Sequence, residues 1–170
     1  MSAKLSLFNQ IYANHHQMVI QLCLGFVNGD RSRAKDLSQE VFINTWNSLE
    51  RFKGQSSHKT WLYRITVNIC LKSLRDTKQT RSVSLDAEQR VEHLLTDDST
   101  SNAAEAALGA LYTSIGQLNE VDRLIIMMVL DEADYAQIAD VMGISEGNIR
   151  VRIHRIKQTL KKLMQNEHAN

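Results

Sequence analysis

Proline is absent from all 170 residues and glycine occurs only seven times, so little in the chain breaks a helix or supplies the tight turns that many-stranded sheets need. The expected fold is all-α. Cysteine is scarce as well: Cys23 and Cys70 stand far apart, each in apolar surroundings, with no second thiol at metal-ligand spacing. Both are expected in the core, where free cysteine is commonly buried. Long apolar runs are missing; the longest, Leu124 to Leu130, falls far short of the roughly 20 residues that span a bilayer. The opening MSAKLSLFNQ lacks a signal-peptide core, so a cytoplasmic protein without membrane insertion is expected. His15-His16 has no partner at metal spacing, and neither a glycine-rich phosphate loop nor a nucleophile motif occurs. No catalysis, metal or cofactor is expected.

What is present is an ordinary globular composition, 43% hydrophobic and 23% charged, which predicts a folded chain rather than a disordered one. The net charge of only +1 conceals a strong pattern. Residues 1–75 carry ten Lys/Arg against four Asp/Glu, whereas residues 76–105 carry three against seven. Gly147 to Asn166 then holds six basic residues and no acid. Two basic surfaces therefore flank an acidic middle, a distribution suited to nucleic acid at both ends.

Apolar residues Leu5, Phe8, Ile11, Tyr12, Met18, Leu22 and Phe26 recur at helical steps, and Asn28-Gly29 provides a helix stop. A second helical face runs Ala34, Leu37, Val41, Thr45, Leu49 and Phe52, widened by Phe42 and Trp46. After the polar turn at Lys53 to Ser57, a third helix carries Trp61, Ile65 and Ile69 at steps of four, with Leu62, Cys70 and Leu74 beside them. Periodicity fades between Asp76 and Asn102, where Ser, Thr, Asp and Gln accumulate; Val91, Leu94 and Leu95 suggest one weak turn of helix there. The pattern resumes with Leu108, Leu111, Ile115 and Leu118, then a helix opened by Asn119. Asp134 and Gln137 stand at capping-box spacing before a short helix with Ile138, Ala139 and Val141, which Gly143 stops. Ser145 caps a last helix whose inner face is Ile149, Ile153, Ile156, Leu160 and Leu163. A short helix, a glycine turn and a longer basic helix make a helix-turn-helix pattern. The predicted organisation is a helical domain over 1–76, an acidic linker over 77–103 and a second helical domain over 104–170.

With Ile149, Ile153 and Ile156 inward, Asn148, Arg150, Val151, Arg152, His154 and Arg155 point to solvent. Arginine pairs bidentately with guanine in the major groove, worth about 1–3 kcal/mol of discrimination, and valine can meet a thymine methyl. In the first half, Arg51, Lys53, Lys59, Arg64, Lys72 and Arg75 interleave with Phe52, Trp61 and Tyr63, and no acid interrupts them. Such a surface suits single-stranded nucleic acid, since bases stack on aromatic rings at roughly 1–3 kcal/mol each while cations hold the backbone.

The stretch DLSQEVFINTWNSLERFKGQSSHKTWLYRITVNICLKSLRD resembles region 2 of extracytoplasmic-function sigma factors of bacterial RNA polymerase, in the sigma-70 family. IGQLNEVDRLIIMMVLDEADYAQIADVMGISEGNIRVRIHRIKQTLKKLM is similar to their region 4. The resemblance implies two small helical domains, region 2 and a helix-turn-helix region 4, that direct promoter-specific initiation. It assigns Asp36, Gln39, Glu40, Phe42 and Trp46 to the clamp helices of the largest polymerase subunit. It assigns Lys53, Ser56, Ser57, Lys59, Trp61, Asn68, Lys72 and Arg75 to a flipped base of the minus-10 element. Arg150, Val151, His154 and Arg155 fall on the positions that contact minus-35 bases, and Arg152 on one better placed for phosphate; Asn148 joins them from the solvent face of the helix. Core polymerase, including its flap region, promoter DNA and an anti-sigma factor are the implied partners. Two departures stand out. DEADYAQIA lacks the glycine common in the corresponding turn, and Val151 replaces a small polar residue, which shifts the expected minus-35 preference. The rival readings are a stand-alone helix-turn-helix regulator, which would bind duplex promoter without polymerase, and a sigma-like decoy that binds only an anti-sigma protein.

Overall fold

The computed structural model describes residues 3–81 and 103–167, and every described element is helical. α1 (Ala3–Phe26), α2 (Arg31–Ser48) and α3 (His58–Arg81) form the first unit, with a 3₁₀ turn at Leu49–Arg51 between the last two. α4 (Ala103–Gly116), α5 (Glu120–Leu130), α6 (Tyr135–Met142) and α7 (Glu146–Glu167) form the second. α3 thus continues past residue 76, where the sequence pattern faded. The turn expected around Val91, Leu94 and Leu95 lies outside the described residues.

Helix ends follow the local chemistry. Asn28 and Gly29 both take positive φ, and the Gly29 amide donates to the Leu24 carbonyl at 2.8 Å, closing α1 with a left-handed stop. Asp30 caps α2 by accepting from the Arg33 amide at 3.0 Å. Asn119 does the same for α5 through Asp122, Asp134 for α6 through Gln137, and Ser145 for α7 through Asn148. Gly143, at φ 66, ends α6. The Asp134/Gln137 box closes on one side only. Gln137 does not return to its cap; its Nε2 donates instead to Thr60 Oγ1 of α3 at 2.7 Å.

The first unit's core is built from Ile11, Val19, Leu22 and Cys23 of α1, Ala34, Leu37 and Val41 of α2, and Leu62, Val67 and Cys70 of α3. Thr45 and Thr66 are buried in it, and each satisfies its hydroxyl on the carbonyl one turn earlier. Cys23 and Cys70 meet there: the Cys70 thiol is pushed far above its ordinary pKa by its hydrogen bond with Cys23, then by burial. The second unit buries Ile115, Leu124, Ile125, Met128, Ile138, Ile149 and Ile153, as the periodicity required. Leu108, expected on that inner face, is more than half exposed.

The inner face of α3 is rotated from the expected one. Trp61 and Ile65 are only half-buried, while Tyr63 is fully buried. The reason is tertiary: α6 packs on α3, and α1 packs on α5 and α4, so the two units share an interface. At that interface a Cβ on Gly25 would overlap the Met127 side chain, and one on Gly116 would overlap the Asn28 side chain. Each unit leaves a notch where the other inserts a side chain.

Candidate nucleic-acid interface

α6, the Gly143 turn and α7 form the helix-turn-helix. Burial of Ile149, Ile153 and Ile156 phases α7 so that Asn148, Arg150, Val151, His154 and Arg155 are exposed. Val151, at 52% exposure, is an unusually bare β-branched residue. Arg152 departs from the expected orientation. It turns partly inward because its flank of α7 faces the start of α5, where its Nε donates to Asp122. Asn119 Nδ2 donates to the other oxygen of that carboxylate at 2.6 Å. Arg150 is braced on two sides, 2.9 Å from Glu146 and 5.1 Å above the Tyr135 ring. Asp122 and Tyr135 were not legible as site residues, since each lies on another helix and is brought in by tertiary packing.

The second basic face begins at the loop after Phe52. Gly54 takes φ 68, Lys53 and Ser57 are exposed, and Ser56 is half-buried. Ser57 is the cap of α3, its Oγ accepting from the Thr60 amide at 3.1 Å. Phe52 lies 5.1 Å from the His58 ring and 4.7 Å from Trp61, so an aromatic ledge borders the loop. From Trp61 a stripe of Asn68, Lys72 and Arg75, all exposed, follows the helix at three- and four-residue steps. Lys59 is not free: its Nζ lies 3.0 Å from Asp131 Oδ2. The buried Tyr63 hydroxyl donates to the same carboxylate, and desolvation followed by that bond raises the phenol's pKa above its ordinary value.

On α2, Asp36 and Gln39 are exposed, and Glu40 is half-buried with Lys72 at 3.9 Å. Phe42 belongs elsewhere. It is buried, edge-on to Phe8 at 6.3 Å and to Tyr12 at 4.7 Å, because α1 supplies aromatic partners on that side. Trp46 is half-buried in the same cluster, 5.3 Å from Phe8 with Lys4 over its ring. The surface they were expected to share instead presents Ile43, 60% exposed beside the polar residues. Its signal was available: Ile43 stands one turn beyond Gln39 and two beyond Asp36 on the solvent side.

Residues 11–80 match the model of the family Sigma-70 region 2, and residues 108–160 match Sigma-70, region 4. The ECF RNA polymerase sigma-E factor of Haemophilus influenzae is 30% identical over 93% of this chain and 87% of its own length. The chain belongs to the extracytoplasmic-function sigma factors of the sigma-70 family. This sigma factor is also 29% identical to the RNA polymerase sigma-H factor of Pseudomonas aeruginosa, over 93% of this chain and 86% of that one. Among solved structures it is similar to the sigma factor RpoE of Bartonella quintana, crystallised with the anti-sigma factor NepR. That match has a TM-score of 0.80 at 19% identity and covers 93% and 96% of the two chains. CnrH, solved with the cytosolic domain of CnrY, gives a TM-score of 0.66 at 22% identity over 94% and 88%. In this sigma factor α1 to α3 are region 2 and α4 to α7 are region 4. α7 and the aromatic-basic loop therefore lie in different regions of one chain.

Proposed function

We propose that this chain binds core RNA polymerase in the cytoplasm and directs promoter-specific initiation, acting by binding alone. The observation that carries the reading is the ordered pair of region 2 and region 4, each with its own basic face. On α7, Arg150, Val151, His154 and Arg155, with Asn148, read minus-35 base edges, while Arg152 exchanges Asp122 for phosphate. The loop Lys53 to Ser57 and the face Lys59, Trp61, Asn68, Lys72 and Arg75 take up a minus-10 base lifted from the duplex. Contacts stronger with the melted strand than with duplex shift the equilibrium toward the open form. Asp36, Gln39, Glu40 and Ile43 form the surface for the clamp helices of the largest subunit, with region 4 toward the flap. An anti-sigma protein holds the chain when it is not engaged, as the complexes in which its structural neighbours were solved suggest.

The test is assembly followed by strand opening. Purified chain and sigma-free core polymerase should co-elute and render promoter thymines near minus-10 reactive to permanganate. Co-elution lost on Asp36→Lys with Ile43→Asp would support the α2 surface. A chain that footprints duplex promoter equally well without polymerase would favour the stand-alone regulator.

A further inference from the structure

A cleft of about 500 Å³ opens between the start of α5 and the exposed side of α7, lined by Asp122, Asn148, Val151, Arg152, Arg155 and Thr159 among others. All of these but Asp122 belong to α7, and Asp122 is the acid of the cleft. Its carboxylate is held from two sides. Arg152 Nε donates to Oδ1 and Asn119 Nδ2 donates to Oδ2 at 2.6 Å, while the Asp122 amide donates to Asn119 Oδ1 at 2.9 Å. As an acid in the first turn of α5, Asp122 also sits at the positive pole of that helix. The anion is therefore the fixed partner, and it is Arg152 that is held.

The two arginine pairs on α7 differ in shielding. Arg150 and Glu146 leave 63% and 50% of their side chains exposed, whereas Arg152 and Asp122 leave 37% and 17%. Water and salt screen the first pair and release Arg150 readily, while the second is harder to part. Paired with Asp122, Arg152 adds no net charge to the face of α7.

We infer that Asp122 sets how strongly region 4 grips the minus-35 duplex: in the free chain its carboxylate occupies the seat on Arg152 that a backbone phosphate takes in the complex. This rests on the assignment of α7 to the minus-35 element. Binding exchanges one anion for another instead of neutralising a free cation, so the contact positions the duplex and adds little affinity. Counterion release falls as well, because a pair that is neutral before binding adds nothing to the salt slope that a lone arginine would steepen by about 0.9. Base readout is left alone, since neither Asp122 nor Arg152 is among the residues that read base edges. The grip is weakened without loss of choice.

The experiment uses holoenzyme reconstituted from the full chain and sigma-free core polymerase, with a duplex whose minus-35 element that holoenzyme has selected from a randomised library. Each phosphate of the element is neutralised in turn as its methylphosphonate. Affinity is measured for the parent, Asp122→Asn and Asp122→Ala, each with and without Arg152→Ala. Both Asp122 variants should bind about threefold more tightly, the worth of a partly exposed ion pair. Their salt slope should be steeper by about 0.9, with base preferences unchanged. One phosphate should carry the gain: neutralising it should cost more affinity in the Asp122 variants than in the parent, and Arg152→Ala should erase that difference. Unchanged affinity in both variants overturns the inference. So does a gain spread evenly over the phosphates, which marks plain repulsion by the carboxylate, or a shift in base preference. If Arg152→Ala alters no phosphate's contribution in any background, the phosphate assignment of Arg152 fails and the inference with it. A holoenzyme that selects no element at all overturns the proposed function itself.

Discussion

Arg123, near the start of α5, donates from its Nη1 to the carbonyl of Phe26, the last residue of α1, at 3.0 Å. The same guanidinium reaches the Leu118 carbonyl at 2.9 Å and the Gly116 carbonyl at 2.6 Å. One side chain thus satisfies carbonyls that the ends of α1 and α4 leave without helical partners, and it places positive charge at their negative poles.

Arg123→Ala should therefore destabilise the protein well beyond an ordinary surface change. Hydrogen bonds from a charged donor are worth about 1.5–3 kcal/mol, and buried carbonyls would be stranded, so a loss of about 2–4 kcal/mol is expected. Arg123→Lys should recover only part of it, because an ammonium cannot serve three carbonyls in a fixed fork. Urea unfolding midpoints check both.

Much of this fold was legible from punctuation and period. Asn119, Asp134, Gly143 and Ser145 act at the helix ends where their chemistry placed them, since capping is a local property. The solvent face of α7 was fixed by its isoleucines. What escaped was tertiary. Tyr63 looked like part of a wet aromatic surface and is fully buried, its hydroxyl bonded to Asp131 in the turn after α5. Phe42, expected both on the inner face of α2 and at the polymerase-binding segment, packs under α1. Arg123, Asp122 and Asp131 carried no sequence signal, because their partners are remote in the chain and no local period encodes them.

Recognition should divide along α7. Arg155→Ala is expected to relax selection at a single minus-35 base pair by about 1–3 kcal/mol. Arg152→Ala should weaken binding evenly across sequences and lower the logarithmic salt slope by about 0.9. Tyr135→Leu, which removes the ring beneath Arg150, should blur one base preference that Tyr135→Phe retains. A randomised minus-35 library, bound by holoenzyme at several salt concentrations, separates these outcomes.

His15 gives the interface between the two units a pH dependence. Burial lowers its pKa from the ordinary 6.5, His58 and Lys59 lower it further, and Asp131 opposes them. The folded state therefore favours neutral imidazole, so its contribution is present above pH 6.5 and is lost as the medium becomes more acidic. Melting temperature should fall on acidification below that point, and His15→Gln should flatten the fall. An identical profile in the variant would assign the dependence to another group.

The facing thiols should be inert. Cys23 and Cys70 are both buried, and thiolate formation at Cys70 is strongly disfavoured. Neither should react with a thiol reagent in the native chain, and both should react promptly in denaturant.

The central claim meets its most direct measurement in transcription by sigma-free core polymerase supplied with this purified chain and a genomic promoter library. Discrete start sites that share two sequence elements at fixed spacing, and that disappear with Arg150→Ala and Arg155→Ala together, are the predicted result. Transcription no different from core polymerase alone, under conditions in which the chain remains folded, would contradict it.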